Sequence, residues 1–297
     1  MTDSLTEKSN SKTKNIDLMK TSEIVKVINN EDKKVAKAVE KALPEITKAV
    51  DIISQSFLNG GRLAYFGAGT SGRLGVLDAS ECWPTFSAPD GMITGFIAGG
   101  DYALKHSIEG AEDDKTEALK HIKEFKPTKK DVVVGISASG NPNYVLTALT
   151  EAKKKGAKTI GITSNPNAKL KDIADLTILT VVREEAITGS SRMKSGTAQK
   201  MVLNMLSTAS MVKIGKTYGN YMIDLQPVCD KLIDRANRII AAICKIPVAK
   251  AETYRIKADN NVKVACVMYL KGCTKQQAKQ KLKKHNGILR KVLRDEK

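Results

Sequence analysis

Four stretches of the chain gather residue types able to do chemistry. The first is Gly67-Ala68-Gly69-Thr70-Ser71-Gly72-Arg73, after which Leu74, Val76 and Leu77 resume a helical pattern. Its glycines let the backbone approach an anion, while hydroxyls and free N–H groups at the helix start donate to it. The second, Ser137-Ala138-Ser139-Gly140-Asn141-Pro142-Asn143, repeats that composition, with Pro142 near a first helical position. Each is a phosphate cradle by type, and either alone is also an ordinary strand-to-helix turn. Neither has the form GxxxxGK followed by Ser or Thr, and no acidic residue sits where a magnesium–nucleotide site needs one. A phosphorylated metabolite, with sugar phosphate the leading class, is therefore expected in place of a nucleoside triphosphate.

The third stretch is acidic: Glu81, followed by Cys82-Trp83-Pro84, and then Glu109, Glu112, Asp113 and Asp114. Partial burial of Glu81 in its apolar setting would raise its pKa and equip it as a general acid. Glu109 and Glu112, three apart, could share a helix face. The alternative for each is a solvated surface carboxylate. The fourth stretch, from Glu185 through Ser190, Ser191 and Lys194 to Thr197, is rich in donors. It reads either as another wall of a pocket or as a helix start capped by Ser190 or Ser191.

To converge, these stretches need a common scaffold. Five β-rich runs, Leu63 to Phe66, Met92 to Ile97, Val132 to Ile136, Thr159 to Thr163 and Leu176 to Val181, alternate with helix-like segments. That alternation predicts an α/β fold with a doubly wound, parallel, five-stranded sheet, whose ligand site lies at the carboxyl ends of the strands. Apolar residues at helical spacing from Glu23 to Leu58 predict N-terminal helices, with Pro44 in the first turn of the second and Asn59-Gly60-Gly61 at its end. A long helix is expected from about Arg192 to Gly215. Beyond it the pattern predicts a small helical C-terminal bundle: Lys231 to Cys244, Val262 to Leu270, Lys275 to Lys284 and Ile288 to Leu293, with Gly272, Thr274 and Gly287 as breaks and cap. The expected organisation is an N-terminal helical segment over 1–54, a sheet domain over 55–227 and a helical region over 228–297.

The formal net charge of +17 raises nucleic acid as a partner. The lysines, however, lie in helical stretches interleaved with apolar residues, with no C2H2, RNP or homeodomain signature, so a solvated basic surface and no nucleic-acid partner are expected. The five cysteines, Cys82, Cys229, Cys244, Cys266 and Cys273, form no CxxC pair and read as reduced thiols. The start lacks a basic-then-apolar signal pattern, and the apolar stretch from Met193 to Ile214 carries Lys194, Lys200 and Lys213, so a cytoplasmic protein with no membrane span is expected. His106, His121 and His285 have no ligand spacing, and neither metal nor cofactor is expected.

The segments LAYFGAGTSGRLGVLDASECWPTF, FIAGGDYALKHSIEGAED, VVVGISASGNPNYV and EEAITGSSRMKSGTAQKMVLNMLSTASM, in this order, resemble the N-acetylmuramic acid 6-phosphate etherases, and the resemblance runs from about Thr21 to the C-terminal helices. It implies a sugar isomerase (SIS) fold and a homodimer with active-site residues near the subunit interface. It also implies a carbon–oxygen lyase activity that releases D-lactate in cell-wall amino sugar recycling, with no redox or metal cofactor. The family's catalytic glutamates fall on Glu81 and Glu112, and its phosphate and sugar contacts on Ser71, Gly72, Ser137, Ser139 and Gly140, with Glu185 and Lys194 as further pocket residues. The lysine enrichment is this chain's own peculiarity and leaves these motifs intact. Two other readings compete. A noncatalytic sugar-phosphate sensor like the glucokinase regulatory protein shares the motifs, but both glutamates are kept here and a single SIS domain is expected, which favours the enzyme. An SIS transcription regulator needs a recognition helix ahead of the sheet, and the N-terminal helices offer none.

Overall fold

In the computed structural model, which describes residues 5–295, the β-rich runs pair into one parallel five-stranded sheet in the order β2-β1-β3-β4-β5. The strands are β1 (Leu63–Gly67), β2 (Ile93–Ile97), β3 (Val132–Ile136), β4 (Lys158–Thr163) and β5 (Leu176–Leu179). In register, Leu63 stands beside both Ile93 and Val132, and Gly67 beside both Ile97 and Ile136, so β1 and β3 end level with one another. Both are buried along their whole length, as strands covered on two faces must be.

Helices clothe the two faces. Ahead of the sheet run α1 (Thr21–Glu40) and α2 (Leu43–Leu58); α3 (Gly69–Phe86) follows β1, the short α4 (Tyr102–Lys105) and then α5 (Lys115–Phe125) lie between β2 and β3, α6 (Asn143–Lys154) links β3 to β4, α7 (Leu170–Ile173) precedes β5, and α8 (Lys194–Lys213) follows it. On one face Ala64, Phe66, Phe96 and Val133 pack with Ala118, Ile122 and Phe125 of α5 and Val145, Ala148 and Leu149 of α6. On the other, α3 approaches so closely that a Cβ at Gly75 would stand 2.9 Å from that of Tyr65 and 3.2 Å from Ile136 Cδ1. The doubly wound sheet is as the sequence predicts. Pro44 occupies the first turn of α2, and Asn59 caps its end with Gly60 at φ +73°.

Backbone contacts divide the chain into two compact units, Met1–Ser80 with Gly91–Ser210, and Glu81–Asp90 with Met211–Lys297. The first holds the sheet. The second holds α9 (Asp230–Cys244), α10 (Val248–Lys257), α11 (Val262–Lys271), α12 (Lys275–Lys284) and α13 (Leu289–Arg294), and a two-stranded ribbon, β6 (Thr217–Tyr218) with β7 (Tyr221–Met222). Ile223, Leu225, Ile240, Val262, Val264 and Leu289 are among its core residues. Asp224 binds Lys216 at 3.1 Å and Lys263 at 2.8 Å, and its carbonyl accepts from the Ser87 hydroxyl. Thr274 caps α12 through a reciprocal pair with Gln277, and Gly272 ends α11 at φ +58°. None of the five cysteines is in a disulfide. Among the described residues no helix is long and apolar enough to cross a membrane, and no cluster of His, Cys, Asp and Glu is arranged to hold a metal.

Candidate active site

The loops that leave β1 and β3 open side by side into a cavity of about 700 Å³. Thr70 and Ser71 line it from the first loop, Ser137 and Ser139 from the second, Glu109 and Glu112 from the segment after β2, and Ser190, Ser191 and Arg192 from the segment after β5. Adjacent parallel strands of equal length bring the loops together, because their carboxyl ends share one edge of the sheet.

Within the loops the glycines and hydroxyls have separate duties. The Ser71 hydroxyl donates to Gln199 Oε1 on α8 at 2.9 Å, and Ser137 Oγ accepts from Gly140 N at 2.9 Å. Gly72 and Gly140, expected to touch the ligand, line no part of the cavity. A Cβ at Gly72 would stand 2.6 Å from both the Gly67 carbonyl oxygen and Ile97, so this glycine lets α3 press against the strand it follows. Gly140 has φ +70°, and a Cβ there would lie 2.3 Å from that of Ala168; its work is the turn.

Glu112 sits on a short 3-10 turn, Ala111–Asp113, in place of the helix face imagined for it and Glu109. Its pKa is raised, first by partial burial and then by the neighbouring charges of Asp113 and Glu109. Two ties hold the segment. Arg73 donates from Nε to the Leu104 carbonyl at 3.1 Å and from Nη2 to that of His106 at 3.0 Å, and Asn143 Nδ2 donates to Asp113 Oδ1 at 3.1 Å.

Glu81 is exposed, belongs to the second compact unit and is not among the residues lining the cavity. The expected partial burial is not found because Asp78, Cys82 and Phe86, four apart, take the inward stripe of α3 and turn the residue at 81 outward.

Glu185 and Lys194, expected in the pocket, are buried behind it and do not line it. Glu185 caps α8: its carboxylate accepts from the backbone N–H of Lys194 at 2.8 Å and of Ser195 at 2.9 Å, and from the Ser195 hydroxyl at 2.8 Å. This displaces Ser190 and Ser191 from the capping role and leaves them at the cavity wall. Lys194 Nζ reaches Glu31 of α1 at 2.8 Å, with both side chains 1% exposed. Burial pushes the Glu31 carboxyl up, but hydrogen bonds from Lys194, Lys34 and Asn10 together with the Lys194 charge outweigh it and bring the pKa down to about 2.

One lining residue has no counterpart in the sequence reading. Glu7 enters the cavity from the N-terminal segment, where its Oε2 lies 3.1 Å from the position a Cβ would take at Gly189. The buried Asn10 anchors that segment, donating to the Glu184 carbonyl at 3.4 Å and bonding Glu31. Since Asn10 and Glu184 are 174 residues apart, only the folded chain discloses the contact.

A parallel sheet in this strand order is common to many doubly wound proteins, and the family match narrows it to a sugar isomerase (SIS) domain. Residues 106–209 match the SIS domain family, and residues 34–153 match the glucokinase regulatory protein N-terminal SIS domain. Curated relatives carry the likeness further. An N-acetylmuramic acid 6-phosphate etherase of Actinobacillus pleuropneumoniae serotype 5b (strain L20) is 52% identical over 289 residues, 97% of this chain and 95% of its own length. The proteins so named from Glaesserella parasuis serovar 5 and Clostridium botulinum strain Hall are 52% and 49% identical, over 95% and 98% of this chain and 93% and 96% of their own. The chain belongs to the N-acetylmuramic acid 6-phosphate etherase family, a family of enzymes.

Proposed function

We propose that this protein cleaves the D-lactyl ether of N-acetylmuramic acid 6-phosphate, giving N-acetylglucosamine 6-phosphate and D-lactate, as a cytoplasmic homodimer in amino sugar recycling. The observation that carries the reading is that the Glu112 carboxylate, with its raised pKa, lines one cavity with the hydroxyls of Ser71, Ser137 and Ser139. Those hydroxyls, with the backbone donors of their loops, receive the phosphate. In the open-chain aldehyde the carbonyl acidifies the C2 hydrogen. Glu112 removes it, the C3–O bond breaks, and a C2=C3 double bond forms in conjugation with the aldehyde. The departing lactate oxygen takes a proton from a general acid, the role that the family resemblance gives to Glu81, which does not line this cavity. Water then adds its oxygen to C3 while C2 takes back a proton, so that overall one water is consumed and no electrons change hands. Acid and base roles of this kind contribute about 10²- to 10⁴-fold each.

The homodimer is what the resemblance to the etherases implies. Incubating the purified protein with N-acetylmuramic acid 6-phosphate should release stoichiometric D-lactate. Saturable sugar-phosphate binding without lactate would instead favour the noncatalytic sensor, to which the match with the glucokinase regulatory protein domain also points.

A further inference from the structure

Gln199 stands behind the first loop, on the second turn of α8. It is 1% exposed and Ser71 is 9% exposed. Its Oε1 accepts the Ser71 hydrogen at 2.9 Å, while its Nε2 is buried without a hydrogen-bond partner among the described residues. Neighbouring hydroxyls are engaged elsewhere, Ser195 with Glu185 and Thr197 with the Met193 carbonyl.

For an anion site this arrangement is reversed in two respects. A serine hydroxyl has one hydrogen, and here it points at Gln199, so that only lone pairs remain to face the cavity. A buried N–H also goes unpaired, a rarer and more costly defect than an unpaired carbonyl. Turning the amide over by 180° corrects both. Nε2 then donates to Ser71 Oγ, the Ser71 hydrogen is released towards the cavity, and the atom left unpaired is a carbonyl oxygen.

We propose that Gln199 is a positioning residue for the phosphate site: anion binding selects the amide orientation in which Gln199 donates to Ser71, and Ser71 in turn donates to the phosphate. The inference rests on the sugar-phosphate reading and deepens it. It also distinguishes Ser71 from Ser137 and Ser139, whose oxygens accept from backbone N–H groups within their own loop and which share one hydroxyl–hydroxyl contact at 3.4 Å, so that at least one of their two hydrogens is left for the ligand.

The test is calorimetric titration of the full chain with inorganic phosphate and with glucose 6-phosphate, neither of which requires turnover. Gln199→Glu is an acceptor only and holds the Ser71 hydrogen. It should weaken binding tenfold or more, in keeping with the loss of a hydrogen bond to a charged group. Gln199→Met has similar shape and no hydrogen-bonding group, leaves Ser71 free to donate, and should weaken binding less than about threefold. Introduced into Ser71→Ala, the Gln199→Glu change should have most of its effect removed, because the hydrogen it captures is gone. Thermal unfolding midpoints confirm that each variant is folded. Equal losses for Glu and Met, or an undiminished Glu effect in the Ser71→Ala background, would overturn the positioning role and mark a packing or plain charge effect. A wild-type chain that binds neither probe would overturn the function proposed above, and this inference with it.

Discussion

Glu112 and Glu81 divide the proposed reaction between them, and isotope exchange separates their parts. Glu112→Gln keeps the side-chain shape and removes the base, so both deuterium uptake at C2 from heavy water and lactate release should fall by at least a hundredfold. Glu81→Gln removes the acid, so exchange persists while lactate release drops by a similar factor. Exchange lost in Glu81→Gln and kept in Glu112→Gln would reverse the roles, and proton NMR beside a lactate assay reads both. The base must be ionised to act. Because burial, Asp113 and Glu109 raise the Glu112 pKa, the acid limb of the kcat/KM profile should lie above the ordinary glutamate range. Asp113→Asn, which keeps the oxygen that Asn143 binds and removes one like charge, should move that limb to lower pH; an unmoved or rising limb would detach it from Glu112. Ser71, Ser137 and Ser139, which line the cavity, are legible in the sequence because their loops combine hydroxyls with glycines, whereas Glu112 stands in an acidic run and is singled out only by the family resemblance. Glu7 and Gln199 are ordinary residues in helical surroundings, and only the tertiary fold brings Glu7 to the cavity and Gln199 to the Ser71 hydroxyl behind it.

Whole elements depend on the buried group at the head of α8. Lys194 joins α8 to α1 through Glu31, and its own backbone N–H is held by Glu185. Removing one partner strands a charge in the interior, so Lys194→Met should cost about 3–5 kcal/mol in urea unfolding. Part of this depends on pH. The folded Glu31 pKa lies near 2, below the ordinary glutamate value of 4.5, so its stabilisation is present above about 4.5 and is lost as pH falls through 2. The Lys194→Met penalty should therefore shrink in acid; a penalty as large at pH 2 as at pH 7 would exclude the ion pair as its source. Strands and long helices are legible because burial on both faces or along one stripe leaves an apolar rhythm in the chain. Helix α10 is less so: only Ala251 and Arg255 are buried within it. The β6–β7 ribbon has two-residue strands, yet the Gly219-Asn220 pair between Tyr218 and Tyr221, with Gly219 at φ +58°, is the turn signal that would have found it.

At the scale of the whole molecule, a net charge of +17 attracts polyanions without reading them. Binding to duplex DNA should be measurable at low salt and fall by orders of magnitude towards physiological salt, and sequence-selective binding that survives there would contradict a merely solvated basic surface. The cavity does not share that character. Of its cationic lining residues, Arg73 gives two donors to the Leu104 and His106 carbonyls, and Arg192 shares the lining with three acids, Glu7, Glu109 and Glu112. A site built this way captures its ligand at contact, by directed donors, and draws little on long-range attraction. Arrival of substrate is then unsteered: the association rate for a sugar phosphate should change little with ionic strength, and a crowd of nucleotides and polyphosphates gathered at the basic exterior gains no advantage at the mouth of the site.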